Sequence, residues 1–287
     1  MSRWWSARRF DLLEFSLMGV LMATAATVVA VSVMEYAGLS YVTYSAAREG
    51  ARLKDRYGST RFSEHVEEWV IRDYFHDRRD GFFVDVGANH YRNYNNTFYL
   101  DSVLGWSGVA IDPQTTFAAD YRAHRPRTRY FSFFVSDTSD ANVTLYQVHE
   151  NSLVASADRR FAERAGTDAA NPLHATEAVT VRTIRLTDLL DRAGVSHIDL
   201  LSVDVELAEP KVLAGFDINR FKPSLVCIEA HPQVRQQILD YFAGHGYVLL
   251  GRYLRADLQN LYFAPLGLAD PPPPDMPATH PDGAPIK

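Results

Sequence analysis

A single cysteine, Cys227, is all the thiol chemistry in a chain of 287 residues. One thiol makes no internal disulfide and holds no cysteine zinc cluster, so the fold must rest on its core. Basic residues are also in short supply. Against 35 Asp and Glu stand 29 Lys and Arg, a formal net charge of −6, and no basic stripe is left to neutralise nucleic-acid phosphates. The three-glycine fingerprint of dinucleotide-binding turns, G-x-G-x-x-G, is missing as well. In "GFFVDVGANHY", Gly81 to Tyr91, the apolar run is followed by one glycine, Gly87. No internal repeat is visible.

Charge is absent altogether from Phe15 to Met34, "FSLMGVLMATAATVVAVSVM". At about 1.5 Å per residue, a helix of that length matches the ~30 Å hydrocarbon core of a bilayer. A cleaved signal peptide has a shorter apolar region, about 7–15 residues, and a buried globular helix keeps a polar face. The segment therefore reads as a single transmembrane anchor. Arg3, Arg8 and Arg9 favour a cytoplasmic N-terminus, while Arg48, Arg52, Lys54 and Arg56 on the other side weaken that asymmetry, and the orientation stays open. The expected organisation is an N-terminal tail (1–14), the anchor (15–34), a charged linker (35–61), one α/β domain (62–265) and a Pro-rich tail (266–287). The tail holds too many prolines and too few large apolar groups to pack, so disorder is expected there.

Within the domain, "RFSEHVEEWVIRDYF" has helical spacing. Ser63 is placed to cap it, Val66, Trp69, Val70 and Tyr74 form an apolar stripe, and the charged residues form a solvated face. "NNTFYLDSVLGW" is a second helix that should bury Phe98, Val103 and Leu104. Buried strands alternate with helices from Gly81 onward: "FFVDV", "GVAID", "RYFSFFVSD", "TVRTIRL", "IDLLSVDVE" and "SLVCIEAH". "YVLLGRYL" and "NLYFAP" close the domain as an antiparallel hairpin. The region between "FVSD" and "TVRTIRL" has no regular pattern. Such alternation implies a mainly parallel sheet covered on both faces.

Five of these strands end on or run into an acid: Asp85, Asp112, Asp137, Asp204 with Glu206, and Glu229. Ligands of open parallel sheets bind beyond the carboxyl ends of the strands. One terminal acid would mean little, but five on one rim converge on a cleft. Asp112 follows Gly87 by 25 residues, near the ~20 at which a carboxylate commonly receives a ribose diol. The absent later glycines argue against a pyrophosphate, which needs close backbone contact. S-adenosylmethionine fits this turn better than NAD, and a nicotinamide-dependent oxidoreductase is the weaker alternative.

"FFVDVGAN", "NNTFYLDSVLGWSGVAIDP", "FVSD" and "TIRLTDLLDRAGVSHIDLLSVDVELAEPKVLAGF" resemble, in order, the motifs of the FkbM-type methyltransferases. The resemblance runs from about Phe62 to Pro265. It implies a Rossmann-like class I methyltransferase fold, S-adenosyl-L-methionine as cofactor, and O-methylation of a hydroxyl on a small molecule or glycan. By position it implies that Asp85, Gly87, Ala88 and Asn89 wrap the methionine end of the cofactor. Asp112 would hold the ribose and Asp137 would lie near the adenine. Asp204 and Glu206 would lie beside the methyl group, with Asp204 the first choice of general base and Glu206, Glu229 or His231 in support. Paired acids could instead hold a divalent cation. Tyr91 and Leu207 stand where the family usually has glycine, and Ser202 where it has lysine. Both larger residues are expected to crowd the cleft, which keeps a second reading alive, a binding or scaffold protein built on the same fold. For His90 an ordinary loop role is the simpler expectation, and for Glu209 a role capping or solvating the following helix.

Overall fold

The computed structural model describes residues 47–148, 151–165 and 176–268. The apolar segment 15–34 and most of the Pro-rich tail lie outside the described residues. Among those described, no helix is long and apolar enough to cross a membrane.

The compact unit begins at Glu49. Helix α1 (47–57) buries Leu53 against Trp69 and Val70 of α2 (Glu67–Phe75), so this stretch is part of the domain and not of a linker. Strand β1 (Phe82–Val86), α3 (Phe98–Ser102), β2 (Ser107–Ile111), α4 (Ala118–His124) and β3 (Thr128–Phe131) form the first half. A short β4 (Phe134–Val135) leads to β5 (Asn142–Val148), β6 (Asn151–Ser156), α5 (Arg159–Ala165) and β7 (Thr176–Ile184). The second half holds α6 (Leu186–Arg192), β8 (Leu200–Val203), α7 (Glu209–Ala214), α8 (Ile218–Phe221), β9 (Leu225–Glu229) and α9 (Arg235–Gly244). It closes with β10 (Tyr247–Leu249) and β11 (Asn260–Pro265).

Seven strands form the main sheet in the order β10-β11-β9-β8-β1-β2-β3. Neighbours from β9 to β3 are parallel, while β11 runs antiparallel to both β9 and β10, as the expected hairpin requires. Strand order reverses between β1 and β8, and a crevice opens there beyond the carboxyl ends. Apolar side chains alternate to the two faces. Val84, Val86, Leu201, Val203 and Ile228 pack with Leu190, Val212 and Phe242 on one side. Phe83, Leu200, Cys227 and Tyr262 pack with Trp69, Leu100 and Trp106 on the other. Trp106 is fully buried, and its ring fills the space a side chain at Gly81 would occupy.

Several expectations change. "RYFSFFVSD" is not one strand: pairing with β2 ends at Phe131, and β4 joins a second, four-stranded sheet of order β4-β7-β5-β6. The stretch without regular pattern supplies β5 and β6, and "TVRTIRL" lies in β7, antiparallel to β5 rather than in the main sheet. The charged residues of α2 are not solvated. Glu67, Glu68 and Arg72 are buried because each finds polar partners: Glu68 accepts the Phe62 N–H and faces Arg72, and Glu67 accepts from His65 N–H and Asn260 Nδ2. Helix α2 starts after the expected cap, and Ser63 Oγ instead accepts the Glu68 N–H. Val103 ends α3 facing solvent.

Candidate active site

A cavity of about 300 Å3 lies over the carboxyl ends of β1, β2, β8 and β9. Gly87, Asn89, Ile111, Asp112, Gln114 and Phe134 line it on the β1–β2 side. Glu64, Glu67, Asp204, Glu206, Glu229, His231 and Asn260 line it on the β8–β9–β11 side. Among the described residues, six of its lining side chains are carboxylates and none is Lys or Arg.

The turn after β1 is built around Gly87. Its φ is +86°, and a Cβ there would lie 1.7 Å from the Asp204 carbonyl oxygen, so only glycine lets β1 and β8 close this tightly. The N–H groups of Gly87 and Ala88 both donate to the Ile111 carbonyl, and the Ala88 carbonyl accepts from Asn95 Nδ2 and the Tyr121 hydroxyl. Ala88 therefore fixes the turn without lining the cavity. Asn89, at φ +45°, directs its N–H to Asp112 Oδ2 at 3.1 Å, and the Gln114 N–H meets Oδ1 at 2.9 Å. Burial pushes Asp112 up to about 6, against the pull of those two N–H donors.

Asp85 is buried on the opposite face of β1. Its Oδ2 accepts the Thr97 hydroxyl at 2.8 Å, and burial raises its pKa. It supports the turn from beneath and does not line the cavity. Asp137 lies farther off. The break after β3 carries it past β4 to the surface, where it accepts from the Ser136 and Thr138 hydroxyls, so it does not line the cavity either.

Beyond β8 the chain turns sharply, with φ +53° at Glu206 and +77° at Leu207. The Asp204 side chain opens onto the cavity, while protein encloses it otherwise. That desolvation, then the charges of Glu229 and Glu206, raise its pKa well above the usual carboxylate range. The turn is tied from two sides: the Ser156 hydroxyl donates to the Glu206 carbonyl at 2.7 Å, and the Val205 N–H donates to Glu209 Oε1 at 3.1 Å. Glu209 is therefore fully buried inside the turn, not solvated, and burial pushes it up to about 7.

His231 Nε2 lies 3.1 Å from Glu229 Oε1 and 3.5 Å from Glu206 Oε2. The two carboxylates, Glu206 foremost, push the imidazole up to about 10. Phe161 of α5 meets this ring edge-on, with centroids 5.0 Å apart. Glu67 is raised to about 7 by burial and then by Asp257.

The expected crowding does not occur. Tyr91 stacks on His90 and His124 beside the Ala88–Tyr121 cluster, and Leu207 packs against the core. Neither lines the cavity. His90 pins its own loop, its Nδ1 accepting the N–H groups of Arg92 and Asn93. Glu64, Glu67, Phe134 and Asn260 were not foreseen. Glu67 reads as helix surface from its spacing, and Asn260 reaches the site only through the last strand.

No curated protein matches this chain. Solved structures that resemble it include two methyltransferases. One is a TehB-like SAM-dependent methyltransferase from Corynebacterium glutamicum, 12% identical, with TM-score 0.39, covering 78% of this chain and 97% of that one. The other is a precorrin-6y C5,15-methyltransferase from Geobacter metallireducens, 10% identical, with TM-score 0.38, covering 67% and 77%. Residues 85–249, more than half of the chain, match the methyltransferase FkbM domain. With the turn at Gly87, the acid at Asp112 and the acids after β8 falling inside that match, the chain belongs to the FkbM methyltransferase family.

Proposed function

We propose that the protein transfers a methyl group from S-adenosylmethionine to a hydroxyl of a small molecule or glycan, while held at a membrane by residues 15–34. The observation that supports this reading is one cavity whose one side is formed by the Gly87 turn, Asp112 and apolar Ile111 and Phe134, and whose other side is lined by acids and His231. Family membership implies the cofactor, and the residues fit it. Asp112 accepts the Asn89 and Gln114 N–H groups, one on each oxygen, and lines the cavity where a ribose diol would meet it. Gly87 leaves the turn bare of side chain, and Ile111 and Phe134 offer apolar surface to a base.

When bound, the cofactor supplies an electrophilic methyl on a sulfonium. The chain's part is to hold the acceptor oxygen in line with that methyl and to receive its proton, and positioning supplies most of the rate. Asp204 lines the cavity and is the proton acceptor in this reading, with Glu206 and Glu229 orienting the acceptor. A scaffold role loses its motive once Tyr91 and Leu207 are seen away from the cavity.

The test is titration calorimetry with S-adenosylhomocysteine, followed by transfer of labelled methyl to a panel of polyols and sugars. Binding with transfer to oxygen supports the reading. Transfer confined to nitrogen or carbon, or no cofactor binding, overturns it. Replacing Asp204 by Asn should lower kcat by at least about 100-fold with cofactor affinity nearly unchanged. Full transfer by that variant removes Asp204 from the chemistry.

A further inference from the structure

We infer that Glu206, Glu229 and His231 form a binding site for one divalent transition-metal ion at the acceptor side of the cavity. One ligand atom from each, a carboxylate oxygen or an imidazole nitrogen, lies within 4.8 Å of the others. The two closest separations, 3.1 and 3.5 Å from His231 Nε2, are those of ligands about 2.1 Å from one ion and roughly 95–115° apart. The cluster joins two neighbouring strand ends, because Glu206 follows β8 while Glu229 ends β9 and His231 follows it.

A second observation is independent of that convergence. Among the described residues, four buried side-chain polar atoms have no hydrogen-bond partner, and two of them, Glu229 Oε2 and His231 Nε2, belong to this cluster. A third is Oε2 of Glu209, a side chain with no solvent exposure, whose other oxygen is held by the Val205 N–H inside the Glu206 turn. Buried polar atoms are rarely left without partners, and two of them in one cluster of three potential ligands point to a missing ligand. The nearest contacts of His231 to the carboxylates are close enough for charge attraction but too poorly aligned for hydrogen bonds.

An imidazole beside two carboxylates favours Mn2+ or Zn2+ over Mg2+ and Ca2+, which prefer all-oxygen shells. Three protein ligands leave at least one position open to the cavity. On the methyltransferase reading, and resting on it, that position takes the acceptor hydroxyl. The ion then lowers the hydroxyl's pKa, and its proton passes to a nearby carboxylate as the oxygen–methyl bond forms and the sulfur–methyl bond breaks.

The experiment uses the full chain in detergent, stripped with EDTA and titrated with Mn2+ while its electron spin resonance signal is followed. One Mn2+ per chain should bind, with imidazole-nitrogen hyperfine coupling in the wild type. Glu229→Gln and His231→Ala should each weaken binding by about 100-fold or more, beyond the ~10–100-fold cost of losing an outer partner. The control Asp137→Asn, an exposed acid outside the cavity, should leave it unchanged. The nitrogen coupling tests His231 without any variant, so misfolding of one does not blunt the test. Failure of both Mn2+ and Zn2+ to bind, or Mn2+ binding without nitrogen coupling, overturns the site. S-adenosylhomocysteine binding in the same samples reads the proposed function separately, so either idea can fail alone.

Discussion

Asp112 carries the sharpest residue-scale prediction. Its ionised form accepts hydrogen bonds that its protonated form cannot all accept, and burial pushes its pKa up to about 6. Affinity for S-adenosylhomocysteine should therefore rise as pH climbs through about 6 and level off above it. Asp112→Asn should lower that affinity about 10–100-fold, as expected for losing charge-assisted hydrogen bonds, and flatten this part of the pH profile. Calorimetry across pH 5–8 checks both, and an unchanged slope in the variant removes Asp112 from the ribose site. Gly87→Ala should destabilise the fold by more than about 3 kcal/mol in urea titration, because the new Cβ meets the Asp204 backbone at 1.7 Å. Both residues were legible in the sequence, since a lone glycine after an apolar strand and an acid at the next strand end are local patterns. Asp85 and Asp137 were misplaced for equally local reasons. Side chains alternate along a strand, which sent Asp85 to the far face, and one break at Ser132–Phe133 diverted Asp137 to the surface.

At the scale of elements, hydrophobic runs identified the strands of the main sheet, but burial of charge hid what α2 does. Nothing in "EEWVIRDYF" says that Glu67 will meet Asn260 of β11, because that partnership exists only once the sheet is assembled. The pairing of the second sheet was invisible for a similar reason. Strand β7 was legible as "TVRTIRL", but its partner β5 lies across a long connection, and Val143, Leu145, Val179 and Val181 form a shared apolar face only once the two pair. Trp106 shows how an element is anchored. Its indole N–H donates to the Arg78 carbonyl at 2.7 Å, and its ring packs on Phe75 at the start of β2. Trp106→Ala should cost about 3–5 kcal/mol, read as a fall in the urea midpoint. Cofactor affinity of the folded fraction should hardly change, since the ring sits at the amino end of β2, away from the carboxyl ends that carry the cavity.

For the whole molecule, carboxyls raised by burial set a pH trend. Glu67, at about 7, and Asp112, at about 6, bind protons more tightly folded than unfolded. Their contribution is fully present below the unfolded pKa near 4 and is lost as pH rises through 6 to 7. The ligand-free protein should accordingly melt at a lower temperature at pH 7.5 than at pH 5.5, and scanning calorimetry reads the sign directly. Membrane attachment predicts that the full chain resists alkaline carbonate extraction and yields to detergent, with protease protection in sealed vesicles reporting its side. One feature of the topology bears on synthesis. Strand β11 sits between β9 and β10 and brings Gln259 and Asn260 to the cavity wall, yet among the described residues it is the last strand made. A nascent chain still short of it leaves the flank of β9 bare and gives β10 nothing to dock on. The ribosome must therefore release nearly the entire domain before the pocket exists, and a prematurely terminated product would be bait for chaperones and proteases, not a slow enzyme.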